Sequence, residues 1–422
     1  MKKSIAVLGL LGVALAGPVF AKEGRVPQGI PHLDHVFVIM MENHGYSQII
    51  NNPNAPFINK YAQTANLAGN YFAVAHPSLT NYLEVVGGSN FGVLSDNNSD
   101  WHNASCASNL VMGTANTDNP PSSNICPISG TGTDAATPAI DYINETQGPP
   151  GDINIDGVQS IPAATNISGK SIADQLFEAR SSWKSYQEDL PAAGADLVNL
   201  SDGFYTNNTD FSTILPVQNP ALTSAGIVSL YASKHNPFVY FQSVQEGHNP
   251  GLSLNNSAGF DGPGGLYADL GSGNVPAFSF IAPNQCNDQH GQGNAGPFCN
   301  YDPSDDGTQA GLNPALIQRG DITVQNLVAA IKKSPAWSEG NNAIVVLWDE
   351  NDYSQAPNTN QVALIVDTNY SKGGKQSATM YNHFSLLKSL ESGFGLPCLN
   401  HACDDNVQVM ADLFGGGKSD RR

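Results

Sequence analysis

The chain has 422 residues, 40% of them apolar and 13% charged, so it can bury a sizeable core and is not a disordered polymer. Asp and Glu outnumber Lys and Arg 37 to 18, a formal net charge of −19. That balance excludes nucleic acid as a partner and a polybasic hold on a membrane surface, both of which need a basic face.

Lys2 and Lys3 precede an apolar run from Ile5 to Ala16, a Gly17-Pro18 break and Val19-Phe20-Ala21. This positive, apolar, small-residue order predicts a signal peptide over 1–21, cleaved after Ala21, and a periplasmic or extracellular protein. No later run is long and apolar enough for a stable membrane anchor. Residues 22–422 read as a single domain, without internal repeat or clean linker.

Val36–Met41 (VFVIMM) is a continuous apolar run and predicts a buried strand. A helix is expected over 55–66, a strand over 68–75 and a short helix over 79–86, with Pro77 suited to its first turn. Residues 88–165, rich in Asn, Ser, Gly, Thr and Pro, read as a loop-rich insertion. Beyond it come a helix (171–180), a strand (182–188), a helix (221–233) and strands over 237–244 (PFVYFQSV) and 277–282 (AFSFIA). Residues 321–334 read as an amphipathic helix with an acidic start and a lysine-bearing end. Strands over 343–348 (AIVVLW) and 361–366 and a helix over 381–393 complete the set. Apolar strands alternating with helices predict an α/β fold: a largely parallel sheet flanked by helices on both faces.

Six cysteines in an exported chain suggest disulfides. Of the 15 possible pairings, the nearest-neighbour set is the simplest: Cys106–Cys126, Cys286–Cys299 and Cys398–Cys403.

Polar clusters follow four of the expected strands: Glu42-Asn43-His44, Glu246-Gly247-His248-Asn249, Asn284 with Asn287-Asp288-Gln289-His290, and Asp349-Glu350-Asn351-Asp352. In a parallel sheet such ends share one edge, where open α/β folds hold ligands. Carboxylates with an Asn oxygen suit a hard divalent cation such as Ca²⁺, Mg²⁺ or Mn²⁺, and nearby histidines extend the choice to Zn²⁺. Ser78 opens a helix, where the macrodipole favours an alkoxide and a bound phosphate, so it is a candidate nucleophile; the alternative is a plain helix cap.

The segments MENH (41–44), HPSLTNY (76–82), WKSYQED (183–189), KHNPF (234–238), WDEND (348–352) and NHFSLLKSLESGFGLP (382–397) resemble the phosphoesterase family of bacterial phospholipases C and acid phosphatase A-like enzymes. The resemblance runs from about residue 33 to 414. It implies an alkaline-phosphatase-like fold and a divalent metal ion held by Glu42, Asn43, Asp349 and Glu350. It also implies Ser78 as nucleophile and His248, His290 and His383 as active-site histidines. Asp288 and Asn81 are candidates for a second site or for phosphate binding. The expected function is a secreted phosphomonoesterase acting through a phosphoserine on a small phosphate ester or phospholipid. The alternatives are a phospholipase C-type phosphodiesterase and a non-catalytic exported ligand-binding protein on the same fold. His32, His35, His102, His235 and His401, with no acidic strand end of their own, read as structural.

Overall fold

The structure is a computed structural model that describes residues 23–91, 93, 167, 169–190, 231–291, 313–352 and 359–416. The predicted leader, most of the 88–165 insertion, His102, and Cys106, Cys126 and Cys299 lie outside the described residues.

The VFVIMM run forms β1 (His35–Met41), buried at every position after His35. Successive side chains of a strand point to opposite faces, so burial of both parities means that both faces of the sheet are covered here. The same holds for β5 (Phe278–Ala282) and β6 (Asn342–Trp348). β1 lies between them, parallel to both, with Val36 paired to Phe278 on one side and Ala343 on the other. The sheet continues through β3 (Trp183–Gln187) and β4 (Ser257–Ala258) at one end. At the other end stand β7 (Gln361–Thr368), β2 (Asn66–Phe72) and β8 (Gln376–Ser377), and β9 (Tyr381–Asn382) also pairs with β2.

Among the described strands β7 alone runs against the rest, antiparallel to both β6 and β2. The sheet is therefore mixed and mostly parallel. β7 follows β6 in sequence and lies beside it in the sheet, and adjacent strands joined directly run antiparallel. Every other strand points the same way, so the carboxyl ends of β1, β2, β3, β5, β6 and β9 share one edge.

The helices expected over 55–66, 79–86, 171–180, 321–334 and 381–393 are present, and the described residues hold three short ones that were not expected. In chain order the helices are α1 (Tyr46–Ile49), α2 (Pro56–Thr64), α3 (Ser78–Gly87), α4 (Ile172–Glu178), α5 (Gln242–Glu246), α6 (Leu266–Ser272), α7 (Pro314–Lys333) and α8 (His383–Phe394). α7 begins earlier than its amphipathic stretch suggests, because Asn313 Oδ1 accepts the Ala315 and Leu316 N–H groups at 3.2 and 3.3 Å and Pro314 fills the first turn. α8 is capped by Asn382 and stopped by Gly395 at φ 70°.

One expected strand is not a strand. Residues 237–244 form a 3₁₀ turn (Pro237–Tyr240) followed by α5. Phe238, Val239 and Phe241 are fully buried against α3 and neighbouring aromatics. Burial explains the apolar run, and an apolar run does not distinguish a buried strand from a buried helical turn. Of the expected 221–233 helix, 221–230 lie outside the described residues, and Ser233–His235 is a 3₁₀ turn.

Cys398 and Cys403 are joined, as the nearest-neighbour pairing expects. Cys286 is also in a disulfide.

Candidate active site

The register of the central strands assembles the site. Met41 and Trp348 are neighbours in β1 and β6, so Glu42 and Asp349, the residues that follow, emerge side by side. The Asp349 N–H donates to the Met41 carbonyl at 3.0 Å, and the Glu42 N–H to the Asp288 carbonyl at 2.9 Å. Asn43 takes φ 53°, a left-handed conformation that asparagine tolerates, and its backbone N–H reaches Asp349 Oδ1 at 2.9 Å.

Ser78 is the first residue of α3, with Pro77 in the cap position. Its Oγ lies 3.0 Å from Glu42 Oε2 and 3.1 Å from Glu350 Oε1, all three residues being buried. Asn81, one turn on, anchors this arrangement. Its Oδ1 accepts the Val74 and Ala75 N–H groups, and its Nδ2 donates to the Ala75 carbonyl (2.8 Å) and to Glu350 Oε2 (3.1 Å). His76 Nδ1 lies 2.8 Å from the same Glu350 oxygen, with its Nε2 3.0 Å from Asn351 Oδ1.

On the other side of Glu42 stands His235. Its Nε2 is 2.9 Å from Glu42 Oε1 and its Nδ1 is 3.4 Å from Asp288 Oδ2, while the ring stacks on Tyr82 at 5.3 Å. One ligand atom from each of Glu42, His235 and Asp288 lies within 4.8 Å of the others. Glu42 Oε1, His235 Nε2 and Asp288 Oδ2 are buried and face one another. Two carboxylate oxygens and an imidazole nitrogen that meet in a buried cluster fit a divalent cation. His290 completes this side: its N–H donates to Asp288 Oδ1 at 2.8 Å, and its Nδ1 lies 2.8 Å from the Gly291 carbonyl.

The phosphoesterase family model matches residues 50–297 and 310–397. The chain belongs to the phosphoesterase family. It is a hydrolase acting on phosphate ester bonds. The phosphatidylinositol-3-phosphatase of Mycobacterium tuberculosis is 25% identical over 420 residues, which cover 98% of this chain and 94% of that protein. An acid phosphatase of Aspergillus fumigatus is 22% identical over 381 residues, 90% of this chain and 59% of that protein. The phosphate-repressible acid phosphatase of Penicillium chrysogenum is 24% identical over 386 residues, 90% of this chain and 64% of that protein. The chain thus spans less than two thirds of the length of these fungal relatives. Among solved structures, a Vibrio parahaemolyticus protein of the alkaline phosphatase superfamily is similar at a TM-score of 0.40 and 10% identity, over 89% of this chain and 69% of that chain.

The electrostatics of this phosphoesterase centre follow from crowding. Burial alone would raise the Glu42 carboxyl, but the adjacent His235 ring, with Lys234 and His290, brings it well below the usual range. Asp288 is pushed well above that range by burial and then by the Glu42 charge. Asp349 is pushed up likewise, by burial, Glu42 and Glu350. So many buried carboxyl groups cannot all ionise together unless a cation joins them. Burial and Lys234 bring His290 down to about 4, and burial brings His383 to about 4.

Of the residues expected from sequence, Glu42, Asn43, Ser78, Asn81, Asp288, His290, Asp349, Glu350 and His383 converge on this edge. His248 is exposed in the turn after α5, and the segment before it is a short helix, not a strand. His235, read as structural from sequence, is instead part of the buried cluster; it arrives on a 3₁₀ turn, not at a strand end. The KHNPF segment that contains it was the available signal. His76 and the Glu188-Asp189 pair at the end of β3 were also missed as site-edge residues. Glu188 accepts the Asn284 N–H at 2.9 Å and the Asn287 amide at 2.8 Å, which braces the loop carrying Asp288. His32, His35 and His401 make local contacts with Asp34, the Pro276 carbonyl and Asp404.

Proposed function

We propose that this chain is an exported, metal-dependent phosphomonoesterase that works through a phosphoserine on Ser78. The observation that carries the reading is the place of the Ser78 hydroxyl, buried at the start of α3 within hydrogen-bond reach of both Glu42 and Glu350. A serine there has a carboxylate to take its proton, and the α3 N-terminus offers N–H groups to a phosphoryl group.

Glu42, His235, Asp288 and Asp349 would hold the divalent cation, with Glu350 and the Asn43 side chain as further oxygen donors. When bound, the cation would supply charge stabilisation at the phosphoryl oxygens and favour the Ser78 alkoxide. Ser78 Oγ attacks phosphorus as its proton passes to a neighbouring carboxylate, and the bond from phosphorus to the leaving oxygen breaks. His290 protonates that oxygen; an anionic phosphate beside it favours its charged form. Water then attacks the phosphoserine and His290 takes its proton; the bond from phosphorus to Ser78 Oγ breaks, the carboxylate returns its proton to Oγ, and phosphate leaves. His248 has no part in this scheme.

The names of the relatives support monoesters as the substrate class, a phosphoinositide among them. Residues 1–21 support export, and among the described residues no helix is long and apolar enough to cross a membrane. The test is a panel of phosphate monoesters, including phosphatidylinositol 3-phosphate, with diesters and phosphatidylcholine. It is run after exhaustive chelation and after return of Ca²⁺, Mg²⁺, Mn²⁺ or Zn²⁺. Monoester turnover restored by a cation is expected. Preference for phosphatidylcholine would make the chain a phospholipase C, and full activity in metal-free protein would overturn the metal-dependent scheme.

A further inference from the structure

Both ring nitrogens of His383 are occupied. Nε2 lies 2.6 Å from the backbone carbonyl oxygen of Asp349, and Nδ1 lies 2.9 Å from the Tyr71 hydroxyl. A carbonyl oxygen only accepts, so Nε2 carries a proton; in the neutral ring Nδ1 is then an acceptor, and the Tyr71 O–H donates to it. The arrangement is built into the sheet. Tyr71 in β2 pairs with Tyr381 in β9, two residues before His383, and both Tyr71 and His383 are fully buried. An acid catalyst must present a proton to the leaving oxygen, and neither His383 nitrogen is available for that.

We infer that His383 is a positioning residue: Tyr71 fixes its tautomer, and His383 in turn holds the Asp349 carbonyl and so aims the Asp349–Glu350 turn at the cation site. The inference rests on the metal-dependent reading above. It separates His383 from His290, which sequence places in the same role. A buried hydroxyl, an imidazole and a main-chain carbonyl in series leave the Asp349 side chain no freedom to swing with its backbone. Partners of this kind, one step behind a metal ligand, tune affinity for the metal.

The test is calorimetric titration of Mn²⁺ into metal-stripped wild type, Tyr71→Phe, His383→Gln and His383→Ala, with kcat measured at saturating Mn²⁺. His383→Ala should raise the Mn²⁺ dissociation constant about 10–100-fold. Tyr71→Phe should raise it severalfold. His383→Gln, whose amide can still donate to the Asp349 carbonyl, should recover much of the loss. At saturation each variant should keep roughly a tenth or more of wild-type kcat, because none has lost a proton donor to the substrate. Unchanged Mn²⁺ affinity with a collapsed kcat in His383→Ala would overturn the inference and make His383 the acid. If His383→Ala does not fold, Tyr71→Phe decides, and an unchanged dissociation constant there overturns it. A wild type that binds no divalent cation would sink the metal reading and this inference together, whereas the variants sink the inference alone.

Discussion

Ser78 opens α3 one position after the cap, and its hydroxyl is turned toward Glu42 and Glu350. Ser78→Ala should therefore remove turnover by more than about a thousandfold. It should cost no more than about 1–3 kcal/mol of stability, the price of hydrogen bonds lost by two buried carboxyl groups. Steady-state kinetics with a melting curve checks both; a variant that keeps a tenth of wild-type kcat returns Ser78 to a purely structural role. His290 makes a different kind of contribution. If it supplies the proton, His290→Gln should harm alkyl phosphates far more than p-nitrophenyl phosphate, whose leaving group is a weak base and needs little protonation. Equal losses on both substrates would point to a binding role instead.

At the level of elements, VFVIMM, FSFIA and AIVVLW are legible as central strands because residues buried on both faces leave no polar alternation. The same property misleads at PFVYFQSV, where an equally apolar run is a 3₁₀ turn and a short helix. Direction is not legible at all: the composition of β7 matches that of the parallel strands, yet it runs antiparallel to both β6 and β2. Glu42 and Asp349 could be read as site residues because they sit at strand ends, whereas His235 could not, because a turn brings it in. That turn depends on Phe238, which lies 4.8 Å from the Trp183 ring and 5.7 Å from that of Phe280. Phe238→Ala should cost about 3–5 kcal/mol and loosen His235, lowering cation affinity as well. Chemical denaturation measures the first effect, and a loss below about 1 kcal/mol would mean that the site collapses around the void.

For the whole molecule, the acidic composition becomes an opposing force once carboxyl groups are buried. Asp189 is raised to about 7 by burial and by Glu188, and Glu391 is raised well above its usual range by burial. A carboxyl raised in the folded state stabilises fully below its unfolded value, near 4, and loses that contribution as pH climbs through its folded value. His290 and His383, lowered to about 4, act in the opposite sense, but only between about 4 and 6.5. Above pH 6.5 the carboxyl groups act alone. The melting temperature of metal-stripped protein should therefore fall from about pH 6.5 to 8, and less steeply once a divalent cation joins Asp288 and Asp349. Scanning calorimetry with and without cation tests this, and a flat or rising curve in chelator would refute it. The arrangement of β1 also sets an order in time. Val36 waits for Phe278 on one side and Ala343 on the other, and the edge they define is finished only when His383 arrives behind β9. Contacts between such distant segments form slowly, after local helices. During refolding, helical ellipticity should return well before phosphatase activity, because Glu42 and Asp349 come side by side only after β6 has paired with β1, across about 300 residues of chain.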